Sequence, residues 1–191
     1  MTDLEVLAAY SAFLVQIHID HVVGGSLASS AWGEQRATND ADLLLRLSPA
    51  DVPVFMSALP DGFYVELREI EAATTQLEPF GSFQALHEPS GFKLDNFLAF
   101  EPWQLERIGR AVWLDLLPGV SLPFSTPEDM IIAKCRWYDL GRRVSERQWR
   151  DLLRLYEVQR GRLDEELITR WLGHYGLMDL WKAIEEQAQA W

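Results

Sequence analysis

The chain has 191 residues, 48% of them hydrophobic, and a formal net charge of −12 at neutral pH. This apolar content is enough for a packed core, while no apolar run reaches the roughly 20 residues of a membrane-spanning helix. The single cysteine, Cys135, excludes an internal disulfide framework. Because the first residues also lack the basic-then-apolar order of a secretory signal, we expect a cytoplasmic protein.

The first 120 or so residues alternate between helix and strand signals. Apolar side chains at helical spacing predict an amphipathic helix over residues 3–17, and residues 51–59 are expected to form a second, short helix. Strand signals lie at 19–23, 42–47, 63–70 and 92–99. Residues 87–91 are typical of a hairpin turn, and 111–122 are expected to add an edge strand. This order predicts an N-terminal α/β unit.

From Ser125 onward the pattern is helical. Ser125-Thr126-Pro127-Glu128 supplies a helix N-cap, a proline suited to the first turn and an acidic residue near the helix N-terminus. Ser145-Glu146-Arg147-Gln148 is a capping box ahead of an apolar stripe. Asp164 is expected to begin another helix, and a last one surrounds Leu180 and Ile184. We therefore expect an α/β core over 1–122 and a helical region over 123–191 packed on it.

Charge is unevenly distributed along the chain. Residues 134–162 contain nine basic and four acidic side chains, so this segment carries +5 while the remainder carries −17. A localised basic face can bind phosphate groups even on an acidic protein. The alternative is that these arginines pair with carboxylates elsewhere on the protein. Both interpretations stay open at this point.

The most informative motif is a diglycine turn followed by two aspartates. Gly24-Gly25-Ser26 follows an apolar run, and Asp40-Ala41-Asp42 opens the next predicted strand. A glycine turn lets backbone N–H groups approach a phosphate closely. Side chains alternate along a strand, so Asp40 and Asp42 lie on one face, where they can hold a hard divalent cation beside that phosphate. The alternative is a pair of surface acids. We interpret the motif as metal-dependent chemistry on a nucleoside triphosphate.

Three more residues extend this candidate site. If the strand containing Asp95 lies beside the Asp40 strand, Asp95 completes a triad able to bind two magnesium ions. Lys134 lies on the apolar stripe of its helix, where a lysine needs carboxylate or phosphate partners unless its ammonium reaches water. Arg36, between the turn and the aspartates, is a further candidate for contacting phosphate.

These residues together resemble the nucleotidyltransferase superfamily, which has the polymerase β-like fold. The resemblance is carried by 22–28 and 32–43, which contain a glycine turn, a variable helix and an acid–x–acid pair, and by the Phe92-Lys93-Leu94-Asp95 strand. Residues 125–134 and 145–151 are similar to a branch of small stand-alone bacterial proteins related to AbiEii-type abortive-infection toxins. Asn96 departs from the pattern, because an apolar residue is expected there in a buried strand. The acidic net charge is also unusual for an enzyme that modifies RNA.

The resemblance implies an α/β (α+β) fold with a mixed sheet flanked by helices, followed by the helical part. It implies transfer of a nucleoside monophosphate from a triphosphate to a hydroxyl of RNA, protein or a small molecule, releasing pyrophosphate. The implied catalytic and metal-binding residues, for two Mg²⁺ or alternatively Mn²⁺ ions, are Asp40, Asp42 and Asp95. The implied nucleotide-binding residues are Gly24, Gly25, Ser26, Arg36 and Lys134. A cognate antitoxin or a second copy is an implied partner. The alternative is a non-catalytic nucleotide-binding or partner-binding subunit of a toxin–antitoxin-type system.

Overall fold

The computed structural model describes residues 1–33, 39–76 and 81–189. These residues divide into two compact units. The first contains 1–27, 39–76 and 81–125, and the second contains 28–33 and 126–189. None of the helices in the described ranges is long and apolar enough to cross a membrane.

The first unit is built on a mixed β-sheet. Its strands are β1 (His21–Val23), β2 (Asp40–Leu45), β3 (Phe63–Val65), β4 (Ser82–His87), β5 (Phe92–Leu98), β6 (Val112–Leu117) and β7 (Val120–Phe124). Within the described residues they form one seven-stranded sheet in the order β3-β4-β5-β2-β1-β7-β6. The β2–β5 and β1–β7 pairs are parallel, and the other neighbours are antiparallel. The helices that begin in this unit are α1 (Asp3–Gln16), α2 (Gly25–Trp32), α3 (Val52–Ala58), α4 (Leu67–Thr75) and α5 (Pro102–Gly109).

Helix α1 covers one face of this sheet. It begins at a capping box between Thr2 and Glu5, which satisfies N–H groups left unpaired at a helix start. Its buried Tyr10 donates a hydrogen bond of 3.2 Å to Asn96 on β5, and the Asn96 amide donates to the Leu94 carbonyl at 2.9 Å. These bonds explain why a polar residue occupies a fully buried strand position. Side chains alternate along β5, so Asn96 faces the helix while Asp95 faces the opposite side of the sheet.

Several predicted elements are confirmed and several are wrong. The helix predicted over 3–17, the short helix predicted over 51–59 and the hairpin turn at 87–91 are present. The strand predicted over 63–70 ends at Val65, because Glu66 caps the N-terminus of α4, whose buried residues repeat at helical spacing. Helix α5 and strand β4 were not predicted.

The single edge strand expected over 111–122 is instead a hairpin. Its turn contains Gly119 with a φ of +78°, a left-handed conformation that favours glycine. Strand β6 forms the edge of the sheet, and β7 lies inside it, between β6 and β1. This pairing brings the end of β7 next to the end of β1, where the diglycine turn begins.

The second unit is helical over its described part. It contains α6 (Pro127–Leu140), α7 (Glu146–Gln159), α8 (Glu165–His174) and α9 (Met178–Gln189). The side chains of Thr126, Ser145 and Asp164 cap the first three of these helices, which confirms the predicted helix starts. Tyr156 and Trp181 pack edge to face, with ring centroids 5.4 Å apart. The apolar stripe predicted after Ser145 therefore packs inside this unit.

Candidate functional site

Three aspartates lie on one face of the sheet in the first unit. Strands β2 and β5 are parallel neighbours, and their register pairs Asp42 with Asp95 and Asp40 with Lys93. The predicted adjacency of these two strands is confirmed. Paired residues of neighbouring strands point to the same face, so the Asp40, Asp42 and Asp95 side chains share that face. Asp40 is exposed, whereas Asp42 and Asp95 are half-buried.

The diglycine turn contacts Asp42 directly. The Gly24 N–H donates to the Asp42 backbone carbonyl at 2.8 Å, which continues the β1–β2 pairing by one residue. Gly25 has a φ of +55°, and a Cβ at this position would overlap the Asp42 carboxylate. The Ser26 backbone N–H, in the first turn of α2, hydrogen-bonds that carboxylate. Both the backbone angle and the close approach therefore require glycine at position 25.

Opposing effects act on the Asp42 carboxyl group. Burial raises its pKa, and the neighbouring charges of Asp40 and Asp95 raise it further. The Ser26 N–H and the positive charge of Arg107 lower the pKa, but the net direction is upward. A group of like charges at a partly buried position costs stability, and such groups are common at functional sites.

Gln84 is a neighbour of the aspartates that the sequence did not indicate. It lies on β4, paired with Asp95, so Gln84, Asp95 and Asp42 form a row across three neighbouring strands. The Gln84 amide donates to Asp95 Oδ1 at 2.7 Å and holds that carboxylate in place. Because β4 was not predicted, there was no strand register from which to place Gln84.

Arg107 on α5 is the second missed residue. Only 8% of it is exposed, and its Nε donates to Ser125 Oγ at 2.9 Å. Its guanidinium lies against Gly24, and its carbon centre is 5.6 Å from the Trp103 ring centroid. The four-residue spacing of Trp103 and Arg107 was the available signal, since it places both on one face of a helix.

The other two predicted nucleotide-binding residues, Lys134 and Arg36, lie outside the described part of the first unit. Lys134 lies on α6 in the second unit, where its Nζ is 3.9 Å from a carboxylate oxygen of Asp151. Arg36 lies outside the described residues, so the structure gives it no place. Their assignment to phosphate stays a prediction.

Part of the basic segment is paired within the second unit. Arg143 donates to Asp139 at 2.7 Å and also forms an ion pair with Asp179. The Arg136 guanidinium lies over the Tyr175 ring, 4.0 Å from its centroid. For these side chains the structure favours intramolecular partners, which was the second of the two interpretations.

The donor set on the aspartate face suits a hard cation only in part. Nowhere in 1–33, 39–76 and 81–189 do three or more His, Cys, Asp or Glu side chains form a group arranged to hold a metal ion. Magnesium, however, is usually bound through one or two carboxylates, with waters and substrate phosphates completing its coordination. Carboxylates facing one another beside a glycine turn fit that incomplete protein ligand set.

Comparison with solved structures identifies the fold. The chain is similar to ANT(2")-Ia in complex with adenylyl-2"-tobramycin, with a TM-score of 0.56 and 15% identity, covering 92% of this chain and 99% of that one. It is also similar to an antigenic nucleotidyltransferase-like protein from Paracoccidioides brasiliensis, with a TM-score of 0.52 and 16% identity, covering 96% and 92%. No protein-family model and no curated protein matches the chain.

These similarities cover nearly the whole length of each chain. The chain therefore has the nucleotidyltransferase fold, and the predicted α/β class with a mixed sheet is confirmed. The relationship to the branch of AbiEii-type toxins stays a prediction.

Proposed function

We propose that this protein is a nucleotidyltransferase that transfers a nucleoside monophosphate from a triphosphate to a hydroxyl group. The observation that supports this activity best is the pairing of Asp42 with Asp95, with Asp40 on the same face, beside the Gly24-Gly25 turn. A turn for phosphate and carboxylates for a cation are the two components that this reaction requires. The nucleotidyltransferase fold provides the same expectation independently.

In the proposed reaction an acceptor oxygen attacks the α-phosphorus, and the bond to the departing pyrophosphate breaks. Asp40, Asp42 and Asp95 would hold Mg²⁺ or Mn²⁺, which when bound neutralises triphosphate charge and lowers the pKa of the attacking hydroxyl. The turn formed by Gly24, Gly25 and Ser26 would bind the phosphates, and their positioning would supply much of the catalysis. The Gly24 and Ser26 N–H groups donate to Asp42 in this structure, so the Ser26 N–H would have to exchange the Asp42 carboxylate for phosphate. The structure gives these residues supporting contacts, since the Ser26 N–H orients Asp42 and Gln84 orients Asp95.

Arg36 and Lys134 remain candidates for neutralising phosphate charge. For Lys134, the proposal requires that the ammonium contacts phosphate, either in addition to Asp151 or in place of it. A substitution of Lys134 by methionine should then weaken triphosphate binding without changing the metal requirement. The expected cytoplasmic location is likewise part of this proposal.

The acceptor class follows from charge. The basic residues that would attract a phosphate-bearing acceptor are in part neutralised by Asp139, Asp151 and Asp179. With a net charge of −12, the protein attracts cationic molecules more readily than RNA. The similar structure of ANT(2")-Ia is a complex with adenylyl-2"-tobramycin. We therefore rank small amino- or hydroxyl-rich molecules as the first acceptor class, ahead of protein and RNA. A toxin role would require a protein or RNA acceptor, so it takes the same lower rank as those two classes.

A labelling experiment tests the activity. The protein is incubated with each α-³²P-labelled triphosphate, Mg²⁺ and separate pools of aminoglycosides, total RNA and protein, and labelled products and pyrophosphate are measured. We expect one pool to become labelled, and the Asp40→Asn/Asp42→Asn variant to label none. Asp61→Asn, in an exposed turn, is the matched control.

Two results would count against the proposal. Equal labelling by wild type and the double aspartate variant would exclude the aspartate face as the active site. Mg²⁺-dependent stabilisation by a triphosphate without product in any pool would instead favour the non-catalytic nucleotide-binding subunit.

A further inference from the structure

Arg107 is a charged side chain buried beside the diglycine turn. Burying a guanidinium costs free energy unless its charge and its N–H groups are compensated. Here Ser125 accepts from Nε at 2.9 Å, the Trp103 ring lies beside the guanidinium, and Asp42 supplies negative charge nearby. An apolar side chain of similar volume would fill the same space without that cost. Packing alone therefore does not explain the charge, and its surroundings point to the site.

We propose that Arg107 is a positioning residue of the nucleotide site, which holds the Gly24-Gly25 turn in the shape that binds a triphosphate. This inference rests on the proposed function and adds to it a residue that no sequence motif includes. It requires that Arg107 be fixed at one end, that it contact the turn at the other, and that the turn depend on that contact.

Ser125 fixes the first end. It is fully buried, its Oγ donates to the Val23 carbonyl at 3.0 Å, and its backbone N–H donates to the same carbonyl at 2.9 Å. Val23 is the last residue of β1 and directly precedes the turn. The hydroxyl that accepts from Arg107 is thus bound to the strand that leads into Gly24.

Gly24 provides the second contact. A Cβ placed on Gly24 would lie 2.5 Å from Nη2 of Arg107, which is closer than van der Waals contact allows. The guanidinium therefore occupies the space that a side chain at position 24 would take. Glycine is needed at position 24 because any larger residue would collide with Arg107.

Arginine suits this position better than lysine. Its planar guanidinium donates from Nε in one direction and presents Nη2 in another, and the two directions are rigidly linked. One group thus contacts Ser125 and Gly24 together. A lysine ammonium keeps the charge, but it has no second nitrogen held at a fixed angle to the first.

Binding measurements on Arg107 variants test the inference. We expect Arg107→Ala and Arg107→Lys each to weaken triphosphate binding in Mg²⁺ by about 10-fold or more, the size of effect that misplaced positioning groups produce. The apparent KM for the triphosphate should rise while kcat at saturation changes less. Added guanidinium, at a concentration too low to unfold the protein, should restore binding to Arg107→Ala and not to Arg107→Lys. Arg110→Ala, at the end of the same helix, is the matched control.

Ser125→Ala provides a second test that does not depend on truncating a buried arginine. It removes only the hydroxyl that anchors Nε, and we expect a several-fold loss of triphosphate affinity with the metal requirement unchanged. Wild-type affinity in both Ser125→Ala and Arg107→Lys would overturn the inference while the proposed function stands. A wild-type protein that binds no triphosphate would overturn the proposed function, and this inference with it.

Discussion

Asp42 and Asp95 are register partners on the parallel strands β2 and β5, so their carboxylates share one face of the sheet. Like charges at paired strand positions repel each other, and Asp42 is also half-buried. Burial and the two neighbouring aspartates accordingly raise the Asp42 pKa. This arrangement lowers the stability of the cation-free protein, and a bound cation would relieve the repulsion.

The first prediction is that Asp42→Asn stabilises the protein when no divalent cation is present. The asparagine amide still accepts from the Ser26 N–H, but the repulsion is gone, so the free energy of unfolding should rise by about 0.5 kcal/mol or more. Urea unfolding in a chelator measures this change. The same variant should lose the thermal stabilisation that Mg²⁺ and triphosphate give the wild type. Asp61→Asn should show neither effect, and a destabilised Asp42→Asn protein would contradict the repulsion argument.

The second prediction concerns Gln84, which orients Asp95. Gln84→Leu keeps the approximate volume but removes the 2.7 Å hydrogen bond, so we expect the apparent Mg²⁺ affinity in the presence of triphosphate to fall about 10-fold. The apparent affinity is measured by titrating Mg²⁺ in the presence of triphosphate and recording the melting temperature at each concentration. Ser82→Ala, on the same face of β4, controls for changes to the strand itself and should have no effect. Equal affinities in wild type and Gln84→Leu would show that Asp95 needs no such support.

The third prediction is a loss of stability in mild acid that comes from His21. Its Nδ1 donates to the Ile19 carbonyl at 3.1 Å, and its Nε2 lies 2.7 Å from Ser11 Oγ, so the ring is buried with both nitrogens bonded. Burial lowers the pKa of His21 below 6.5, partly offset by the Ile19 carbonyl and the Asp20 charge. The unfolded state then binds more protons, so stability is complete above the unfolded-state pKa and falls as the pH drops from there toward the folded-state pKa.

Urea unfolding at several pH values, compared between wild type and His21→Gln, isolates this effect. The wild type should lose more stability than the variant as the pH falls from about 7 to 5. His18→Asn is the control, because His18 is exposed and asparagine tolerates its φ of +59°. Parallel pH curves for wild type and His21→Gln would rule out this contribution.

The fourth prediction is that Cys135 does not react in the folded protein. Burial, and secondarily the Asp179 charge, raise the pKa of its thiol to about 12, so almost no thiolate exists at neutral pH. An aromatic disulfide reagent should therefore label Cys135 only at the rate of global unfolding, and labelling should accelerate in parallel with added urea. Rapid labelling in native buffer would instead indicate local opening of α6.

Local signals were enough to predict some parts of this structure. The side chains of Thr126, Ser145 and Asp164 mark helix starts because a cap acts within three residues of itself. The shared face of Asp40 and Asp42 follows from strand alternation alone. Such features depend only on residues that are close together in the chain, so they can be predicted from the sequence alone.

The remaining features depend on pairing between distant segments. Gln84 meets Asp95 only because β4 and β5 form a hairpin in one particular register, and a shift by one residue would turn Gln84 away. Arg107 meets the turn through Ser125, 18 residues away along the chain. No local pattern marks Gln84, and the spacing of Trp103 and Arg107 gives no information about the distant turn that Arg107 contacts, which is why both were missed.

The fifth prediction concerns Asn96, whose role also depends on a residue far away in the chain. Its hydrogen-bond partner Tyr10 lies 86 residues away, so the sequence presented Asn96 only as an anomaly in a buried strand. Tyr10→Phe removes the donor and leaves the Asn96 carbonyl oxygen short of a partner in the core. We expect this to cost about 1–3 kcal/mol of unfolding free energy, and urea unfolding measures it.

Replacing both partners should cost less than the two single changes suggest. In Tyr10→Phe/Asn96→Leu the buried amide that lacked a donor is removed as well, so part of the stability should return. Triphosphate binding should stay at the wild-type level in all three variants, because Asn96 and Asp95 point to opposite faces of β5. If Tyr10→Phe weakened binding as much as Asp95→Asn, the packing of α1 against the sheet would have to control the position of Asp95. The aspartate face would then depend on the opposite face of the sheet as well as on its own neighbours.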